Sequence, residues 1–425
     1  VQAGASLDTI NEVLRWQGLT LTGAFSRDLK TLTVGGAISS ASCGVNGSIA
    51  SSIERLEVVL ANGDVIETGK VSRRDVNKKL GLQTFEGEIY RKLEGLLEDN
   101  AELIEDISKE EVRDNTGYQR IADIRNSDGS FDLTPLFIGS QGTLGIISEA
   151  VLKTDFYSSS DTFAVVTADS IQTARDLTER LIELEPSELT VYDGALFRRA
   201  AKQGSQFAVL GSIDEVGAVV YIRFGDINDR AQQHKLKKLR KLLQKIDMGI
   251  VDSTERDPED FRVITGINKT LLLGSNDEQL ALPVIDGASV PINRREEFEI
   301  ALGELSAKHH IELPTELNVL NNTYAVYPLL KLETVSDKQK LFKLMADFAV
   351  VVDRCSGAFT SDGAEGRLKS TAAWSLLDEP RAALYEQIRQ IFDPFNTLNP
   401  GVKQKAELRT LVAALRHDYD SASVL

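Results

Sequence analysis

The sequence predicts an α+β protein, and three observations carry that prediction. Its 425 residues exceed one ordinary domain and fit two or three, while a hydrophobic content of 42% is enough for a sizeable core. Residues 1–155 mix helical patterns with hairpin-linked strands. From about Asp161 the pattern changes to alternating strands and helices, which indicates a second domain.

The first region contains a capped helix and a hairpin. Residues 6–18 predict a helix with Ser6 as its N-cap and Gly18 as its stop. Apolar strands at 56–60 and 65–66 flank Asn62-Gly63, a dipeptide typical of a tight hairpin turn. Residues 86–105 predict one acidic amphipathic helix.

The second region repeats a strand–helix pattern. Strands are predicted at 162–166, 219–222 and about 322–330, and helices at 170–184, 229–246, 293–310 and 336–353. Two successive strand–helix units of this kind predict a sheet with helices on one face. A further helix at 379–391 ends before Asp393-Pro394, because proline cannot continue a helix.

Charge and composition exclude several classes of function. The net charge of −16 and the pI of about 4.9 argue against nucleic acid and against an anionic membrane surface. No apolar run reaches the roughly 18–20 residues that span a bilayer. Two cysteines, Cys43 and Cys355, supply no disulfide framework and suit a reducing compartment. We therefore expect a cytoplasmic protein.

A glycine-rich loop at 139–145, GSQGTLG, is the most informative segment. Glycine lacks a Cβ, so backbone N–H groups there can approach a ligand closely; a plain tight turn is the alternative. Two other segments accompany it: residues 33–44, TVGGAISSASCG, and residues 392–401, FDPFNTLNPG.

In this order the three segments resemble the FAD-binding oxidoreductases of the vanillyl-alcohol-oxidase type, which have a PCMH-type FAD-binding domain. Within that family the chain is similar to the D-lactate dehydrogenase and glycolate oxidase flavin subunits. The family's GSEGTLG reads GSQGTLG here, TIGG…G reads TVGG…CG, and FDP…LNPGK reads FDPFNTLNPGVK. Residues 115–118 and 131–133 match family positions ahead of the loop, so that the resemblance spans roughly residues 1–403.

The resemblance implies a domain plan. Residues 1–155 would form the second half of the FAD domain, 156–354 a ferredoxin-like substrate or cap domain, and 355–403 a segment returning to the FAD domain, followed by a tail at 404–425. Val1, Gly4 and Leu7 match a mid-domain V-x-x-G-x-x-L segment of the family. The upstream loop that holds the FAD pyrophosphate is therefore expected to be missing from this sequence.

The resemblance also assigns cofactor contacts. Hydroxyls and glycines of 33–43 would lie along the FAD, the 139–145 backbone would pass beside it, and Ile146 or Ile147 would cover the adenine. The alternatives are a serine-rich turn for 33–43 and ordinary C-terminal docking for Asn399 and Pro400. Cys43 and Cys355 are interpreted as small buried hydrophobes and not as redox groups. The candidate FAD-binding residues are Thr33, Gly35, Gly36, Ser40, Ala41, Ser42, Cys43, Gly139, Ser140, Gly142, Thr143, Leu144, Gly145, Ile146 and Asn399.

The sequence departs from the 2-hydroxy-acid branch at its histidines. The family segment HAGDGNLHVRP corresponds to 318–328, where Asn318 and Ala325 stand at the histidine positions. The segment EHGDGR corresponds to 362–367, where Asp362 and Arg367 keep the carboxylate and the arginine but Gly363 replaces the histidine. The resemblance then implies neither the family's metal site nor its proton-abstracting base.

The remaining histidines lie outside these motifs. They are His234, His309, His310 and His417. A histidine-type metal site is therefore not expected.

The catalytic candidates are correspondingly weak. Asp362, Arg367 and Tyr324, together with Tyr327, are the pocket candidates, and Arg262 or Arg367 is a candidate to hold an anionic substrate. Surface ion pairs are the alternative for both arginines.

Three functions remain open. The first is an FAD-dependent oxidoreductase acting on a small hydroxylated substrate, with 2-hydroxy acids as one such class. The second is a catalytically inactive flavin-binding or scaffold subunit, and the third is a conventional D-lactate or glycolate dehydrogenase. An unidentified electron acceptor is the expected partner, either free or anchoring the protein peripherally to a membrane, and a homodimer is a further expectation.

Overall fold

The computed structural model describes residues 1–21, 32–44, 47–157, 161–225, 228–267, 271, 280–281 and 284–415. The chain divides into two compact units. Unit 1 comprises Val1–Asp155, Gly287–Arg294 and Met345–Ala413, and unit 2 comprises Phe156–Asp286, Arg295–Leu344 and Ala414–Leu425. The sequence predicts the return to the first unit at 355, whereas the structure returns at Met345, inside a helix. Strand 285–289 also carries the chain briefly into unit 1, which no sequence signal indicated.

The helices in chain order are α1 (Leu7–Arg15), α2 (Val34–Ser39), α3 (Arg73–Leu80), α4 (Phe85–Asp99), α5 (Ala101–Ser108), α6 (Thr134–Phe137), α7 (Ile171–Leu181), α8 (Gly194–Lys202), α9 (Asp229–Lys245), α10 (Pro258–Thr265), α11 (Arg295–His309), α12 (Val335–Arg354), α13 (Ser370–Ser375), α14 (Glu379–Phe392) and α15 (Leu408–Ala414).

The strands are β1 (Leu19–Leu21), β2 (Cys43–Gly44), β3 (Gly47–Ser48), β4 (Ile53–Val59), β5 (Val65–Glu67), β6 (Lys70–Val71), β7 (Phe131–Asp132), β8 (Ile146–Leu152), β9 (Thr154–Phe156), β10 (Thr162–Ala168), β11 (Glu188–Asp193), β12 (Ala218–Phe224), β13 (Val251–Asp252), β14 (Leu280–Ala281), β15 (Ile285–Ser289), β16 (Thr315–Asn318), β17 (Thr323–Val326) and β18 (Leu329–Leu330).

Two predicted elements are each divided in the structure. The helix predicted over 86–105 becomes α4 and α5, because Asn100 leaves the helical region and its side-chain amide donates to the Leu96 carbonyl at 2.9 Å. The strand predicted over 322–330 becomes β17 and β18, interrupted at Tyr327-Pro328, where proline has no N–H for the ladder. Both predictions were wrong about continuity and right about the element type.

Unit 1 is organised around β4, which pairs antiparallel with both β5 and β8. The predicted hairpin is confirmed: Val59 pairs with Val65, and Gly63 takes a positive φ of 88° in the turn. The inward side chains of β4 and β8 pack with α4, α6 and α14 in one apolar core. Phe137 and Phe392 meet edge to face in it, with ring centroids 5.6 Å apart.

Six strands of the long sheet in the described part of the chain lie in unit 2, in the order β13-β10-β12-β11-β16-β17. Its first four strands, joined through α7 and α9, run in the antiparallel order 4-1-3-2. This is the ferredoxin-like topology that the family resemblance implied.

The prediction that helices cover one face of this sheet was wrong. Successive residues of a strand point to opposite faces, yet Phe163, Ala164 and Val165 are all buried. Phe197 of α8 and Phe261 of α10 pack with Phe163 and Val165 on one face, while α7 contacts β10 and β11. The short helices α8 and α10 carry too weak a periodic signal to be predicted, and they supply the second layer.

Candidate functional site

The first predicted segment forms α2 and the turn after it. Thr33 caps this helix, its Oγ1 accepting from the Gly36 amide at 3.1 Å. The Gly35 amide donates to the Ala3 carbonyl at 2.8 Å, and a Cβ on Gly35 would lie 2.8 Å from the Ala3 Cβ. Gly35 is therefore needed for the close approach of residues 1–5. This is a packing role, which the family resemblance did not imply.

The 139–145 loop is attached to that turn by backbone hydrogen bonds. The Gly139 amide donates to the Ile38 carbonyl at 2.8 Å, and the Gln141 amide donates to the Ser39 carbonyl at 2.9 Å. Thr143 is fully buried; its hydroxyl donates to the Ser140 carbonyl and shares a second hydrogen bond with the Tyr118 hydroxyl, each at 2.6 Å. Two segments a hundred residues apart thus lie side by side in unit 1.

The glycines of this loop serve two different purposes. A Cβ on Gly145 would lie 2.4 Å from the buried Val58 Cγ1, so Gly145 is required by the core. Gly142 has a φ of +71°, and a Cβ there would meet no atom within 4 Å. Gly142 is therefore the position where the loop backbone borders open space.

The C-terminal segments complete the same surface. The Ala364 amide donates to the Ser40 carbonyl at 2.7 Å, and the Asn399 side-chain amide donates to the Gln141 carbonyl at 2.7 Å. Arg367 Nη2 donates to the Pro400 carbonyl at 2.9 Å. Docking of Asn399 and Pro400 is thus a structural fact, and Asn399 docks directly onto the glycine-rich loop.

A fully buried ion pair ties these segments together. Lys403 Nζ lies 2.8 Å from Glu365 Oε2, and both side chains have no exposed area. Glu365 Oε1 accepts from the Trp374 indole N–H at 3.0 Å and from the Gly117 amide at 3.3 Å, and Lys403 also donates to the Asn115 carbonyl at 2.5 Å. Burial lowers the pKa of Lys403, and the carboxylate of Glu365 opposes that shift.

Two amide oxygens at this surface lack a hydrogen-bond partner. They are Asn115 Oδ1 and Gln141 Oε1, each buried from solvent. The Asn115 side chain is only 5% exposed, and its Oδ1 would lie 3.9 Å from a Cβ on Gly139. Buried acceptors are almost always satisfied in folded proteins, so these two oxygens are candidates for a hydrogen bond from a ligand or an ordered water.

Other predicted cofactor residues divide between surface and core. Leu144 is fully buried and Ala41 is buried with a φ of +52°, so both shape the turn from beneath. Of the two isoleucines, Ile147 packs in the core and Ile146 is 59% exposed, which makes Ile146 the one able to cover a ligand. The Cys43 side chain lies outside the described residues, and Cys355 is buried, in keeping with a packing role.

The tyrosine candidates lie in the interior of unit 2. Tyr324 donates its hydroxyl to Glu299 Oε1 at 2.9 Å, and Tyr327 donates to Glu316 Oε2 at 2.8 Å. Both rings are at most 2% exposed. Burial raises the pKa of Tyr324 well above its usual value, and the Glu299 charge adds to the shift. Their engagement inside the unit counts against the prediction that they line a pocket.

The charged candidates are held by local contacts. Arg262 is exposed and pairs with Glu259 one turn earlier in α10, which is the surface ion pair that the sequence left as an alternative. Arg367 is exposed and bound to the docked C-terminal segment. The Asp362 amide donates to the Gly287 carbonyl at 2.9 Å, which anchors its backbone in unit 1.

The positions of the family histidines are structurally ordinary. Asn318 Oδ1 accepts from the Asn321 amide at 3.2 Å, Ala325 is buried in β17, and Gly363 takes a φ of +82°. Across the described ranges, no group of three or more His, Cys, Asp or Glu side chains is placed to hold a metal ion. Over the same ranges, no helix is long and apolar enough to cross a membrane.

Sequence reasoning missed Glu365, Lys403 and the orphan oxygen of Asn115. Lys403 is the last residue of the C-terminal motif FDPFNTLNPGVK, and Asn115 is the first residue of the motif at 115–118. A lysine and a glutamate 38 positions apart give no periodic signal, and their pairing is visible only when the chain is folded.

The comparisons with known proteins agree with this architecture. The family model of the C-terminal domain of FAD linked oxidases matches residues 158–402, and a model of an FAD binding domain matches residues 1–69. The first match covers more than half of the chain. The chain therefore belongs to the FAD-linked oxidase family, a class of FAD-dependent oxidoreductases.

The relatives are named for the oxidation of hydroxy acids. The glycolate oxidase subunit GlcD of Bacillus subtilis is 22% identical over 409 residues, which are 91% of this chain and 71% of the relative. The D-2-hydroxyglutarate dehydrogenase of Haemophilus influenzae is 23% identical over 99% of this chain, and the chain spans only 43% of its length. The D-lactate dehydrogenase of Archaeoglobus fulgidus is 25% identical over 278 residues, 65% of this chain and 59% of the relative.

Solved structures share the fold at lower identity. The 4-ethylphenol oxidase of Gulosibacter chungangensis superposes with a TM-score of 0.65 at 12% identity, covering 96% of this chain and 77% of that one. The p-cresol methylhydroxylase gives a TM-score of 0.64 at 13% identity, covering 96% and 76%. These likenesses show a PCMH-type fold.

Proposed function

We propose that this protein is an FAD-dependent oxidoreductase of a small hydroxylated substrate, with 2-hydroxy acids as the class to test first. One observation carries the proposal. Five motif segments, 33–43, 115–118, 139–145, 362–367 and 392–403, are joined by hydrogen bonds in unit 1, beside an open glycine backbone at Gly142 and two unpaired acceptors. The names of the relatives support the hydroxy-acid class.

The residues present fit FAD. Its ribityl hydroxyls and ring N–H groups are donors, which match the unpaired oxygens of Asn115 and Gln141. Ser40, Asn399 and the 139–145 backbone would hold the cofactor, and Ile146 would cover it. When bound, FAD supplies the acceptor for the two electrons of a substrate oxidation.

This chain's own contribution to the chemistry is orientation. Asp362 is the surviving carboxylate of its motif and the candidate for holding a substrate hydroxyl. Arg367 maintains the docked C-terminal segment, since its guanidinium is bound to Pro400 and Asn399. Without a histidine at Gly363 and Ala325, we propose that hydroxyl deprotonation does not use imidazole.

The test is a spectroscopic titration. Purified protein is incubated with FAD, and the visible absorbance of the bound flavin is followed anaerobically with glycolate, D-lactate and D-2-hydroxyglutarate. Bleaching by any of these acids supports the proposal. A bound flavin that no hydroxy acid bleaches overturns the substrate class. Full-length protein that binds no FAD overturns the flavoenzyme assignment, whereas FAD binding lost only in this chain assigns the missing contacts to the expected upstream loop.

A flavin-binding scaffold subunit is the second candidate. The observation that favours it is the placement of Gly363, Asn318 and Ala325 at the family's histidine positions. A scaffold would bind FAD with ordinary affinity, yet leave it oxidised with every hydroxylated compound and electron acceptor tested.

The identity of the electron acceptor is a separate question. Purification from native cells by a tag on this chain, with the bound flavin as the marker, tests for an acceptor partner. A single species at twice the chain mass in light scattering would instead support the expected homodimer.

A further inference from the structure

We infer that Asn115 and Gln141 form an acceptor pair that selects the bound flavin by its hydrogen-bond donors. This inference rests on the proposed function and assigns a role to two polar side chains that the candidate FAD-binding residues do not include. It begins with the two unpaired oxygens, Asn115 Oδ1 and Gln141 Oε1, both buried in unit 1.

The orientation of Asn115 is determined by its neighbours. Its side-chain amide nitrogen donates to the carbonyls of Thr360 at 2.9 Å and Ser361 at 3.0 Å, which engages both amide hydrogens. Its backbone amide donates to the Thr360 carbonyl at 3.0 Å, and its backbone carbonyl accepts from Lys403 at 2.5 Å. A flip of the amide would place oxygen against two carbonyls, so Oδ1 is fixed on the side of Gly139.

Gln141 is held by its backbone and leaves its side chain for recognition. Its amide donates to the Ser39 carbonyl at 2.9 Å, and its carbonyl accepts from Asn399 at 2.7 Å. Its φ of +56° is a conformation that non-glycine residues adopt at a cost. A strained, anchored residue with an unpaired buried oxygen indicates that the side chain is retained for binding.

The chemistry of the pair defines what it accepts. Both oxygens are neutral amide acceptors, so they favour N–H or O–H donors and give no attraction to phosphate. Within FAD such donors are the isoalloxazine N3–H, the ribityl and ribose hydroxyls and the adenine amino group, whereas the pyrophosphate offers acceptors only. We therefore assign the pair to a donor-bearing part of the cofactor and not to its phosphates.

The first experiment leaves the protein unchanged. The wild-type chain is titrated with FAD and with N3-methyl-FAD by quenching of flavin fluorescence. If the pair binds N3–H, the methylated cofactor binds about tenfold more weakly or worse. If it binds ribityl hydroxyls, N3-methyl-FAD binds normally and a ribityl-deoxy FAD shows the loss. A loss seen only with an FAD analogue that carries purine in place of adenine would assign the pair to the adenine amino group, and equal affinity for all of these cofactors overturns the inference.

The second experiment compares a variant that lacks the acceptor oxygen with a variant that keeps one. Gln141→Met removes the acceptor at nearly the same size, and Gln141→Glu keeps an acceptor. We expect about tenfold weaker FAD binding for Gln141→Met and affinity within about threefold of wild type for Gln141→Glu. Asn115→Leu should lose more, since it also removes two donated hydrogen bonds.

The matched control is Gln203→Met. Gln203 Oε1 is also a buried amide oxygen without a partner, but it belongs to unit 2, after α8. We expect Gln203→Met to leave FAD affinity unchanged. A purely structural role for Gln141 would lower the melting temperature of the apoprotein, whereas a recognition role lowers only the increase in melting temperature that FAD produces.

The outcomes separate the inference from the proposed function. If the full-length wild type binds no FAD, the proposed function fails before the variants are compared. If the wild type binds FAD and Gln141→Met binds it equally well, the acceptor pair alone is refuted.

Discussion

The two units place their candidate functional residues in opposite ways. In unit 1 the predicted segments meet through backbone hydrogen bonds, such as Gly139 to Ile38 and Ala364 to Ser40, and leave open space at Gly142. In unit 2 the predicted tyrosines turn inward and donate to carboxylates, to the half-buried Glu299 and to the buried Glu316. Backbone sites follow from glycine spacing in the sequence, whereas side-chain sites depend on which face of an element the fold buries.

The largest expected effect concerns the ion pair beneath the unit 1 surface. Lys403→Met leaves Glu365 charged and without its cation in a fully buried position, and should reduce the free energy of unfolding by about 3–5 kcal/mol. Chemical denaturation followed by tryptophan fluorescence measures it, because Trp374 donates directly to Glu365.

The control for this variant lies two residues away. Lys405 is exposed, so Lys405→Met should change stability by less than about 0.5 kcal/mol. If both substitutions cost the same, the pair does not hold the segments together. The comparison of the two units would then lose the buried ion pair as a reason why the motif segments of unit 1 stay together.

A comparison within one loop separates packing from binding. Gly145→Ala drives a Cβ to within 2.4 Å of Val58 Cγ1 and should cost about 1–3 kcal/mol of stability. Gly142→Ala meets no atom and should cost about 1 kcal/mol, because of its left-handed conformation alone. FAD affinity, measured beside thermal stability, should fall for Gly142→Ala in excess of its effect on stability. If Gly142→Ala binds FAD as well as wild type, the open backbone is not the cofactor surface.

A tyrosine variant tests the statement that the candidate side chains of unit 2 serve stability and not binding. Tyr324→Phe removes the hydrogen bond to Glu299 and should cost about 1 kcal/mol of stability, with FAD affinity unchanged. Steady-state kinetics with an accepted hydroxy acid provide the check. A loss of turnover in a variant of unaltered stability would restore Tyr324 as a pocket residue, contrary to its burial.

The smallest expected effect is a pH dependence in unit 2. Burial raises the pKa of Asp193, which caps α8 through the Ala195 amide, and Glu312 adds to the shift while Arg198 and that cap oppose it. Between the unfolded pKa near 3.8 and the raised folded value, the folded state binds more protons, so stability falls as pH rises through that window.

The substitution that isolates this effect is Asp193→Asn. Asparagine caps helices as well as aspartate does, so the helix should remain while the pH slope disappears. Hydrogen exchange of the α8 amides across the acidic range measures it. An unchanged slope in Asp193→Asn would assign the titration to another carboxyl group.

Much of this architecture was predictable from local patterns. The Ser6-capped helix, the Asn62-Gly63 hairpin and the strand–helix alternation after Asp161 all appear in the structure, because caps, turns and periodicity act over a few residues. The break at Asn100 and the second helical layer of unit 2 were missed. The first depends on one side chain competing for a carbonyl, and the second on tertiary burial of short helices.

The sequence by itself determined the family and the cofactor class through its motifs, and it indicated the segments that meet in unit 1, because glycine positions impose backbone geometry wherever the chain goes. Only the tertiary structure decided which polar groups within those segments find a partner in the protein and which do not. Glu365 and Lys403 neutralise each other in the interior, while Asn115 and Gln141 keep an acceptor free. That division depends on distances between residues far apart in the chain, since a buried polar group is satisfied only by the partner that the fold brings to it.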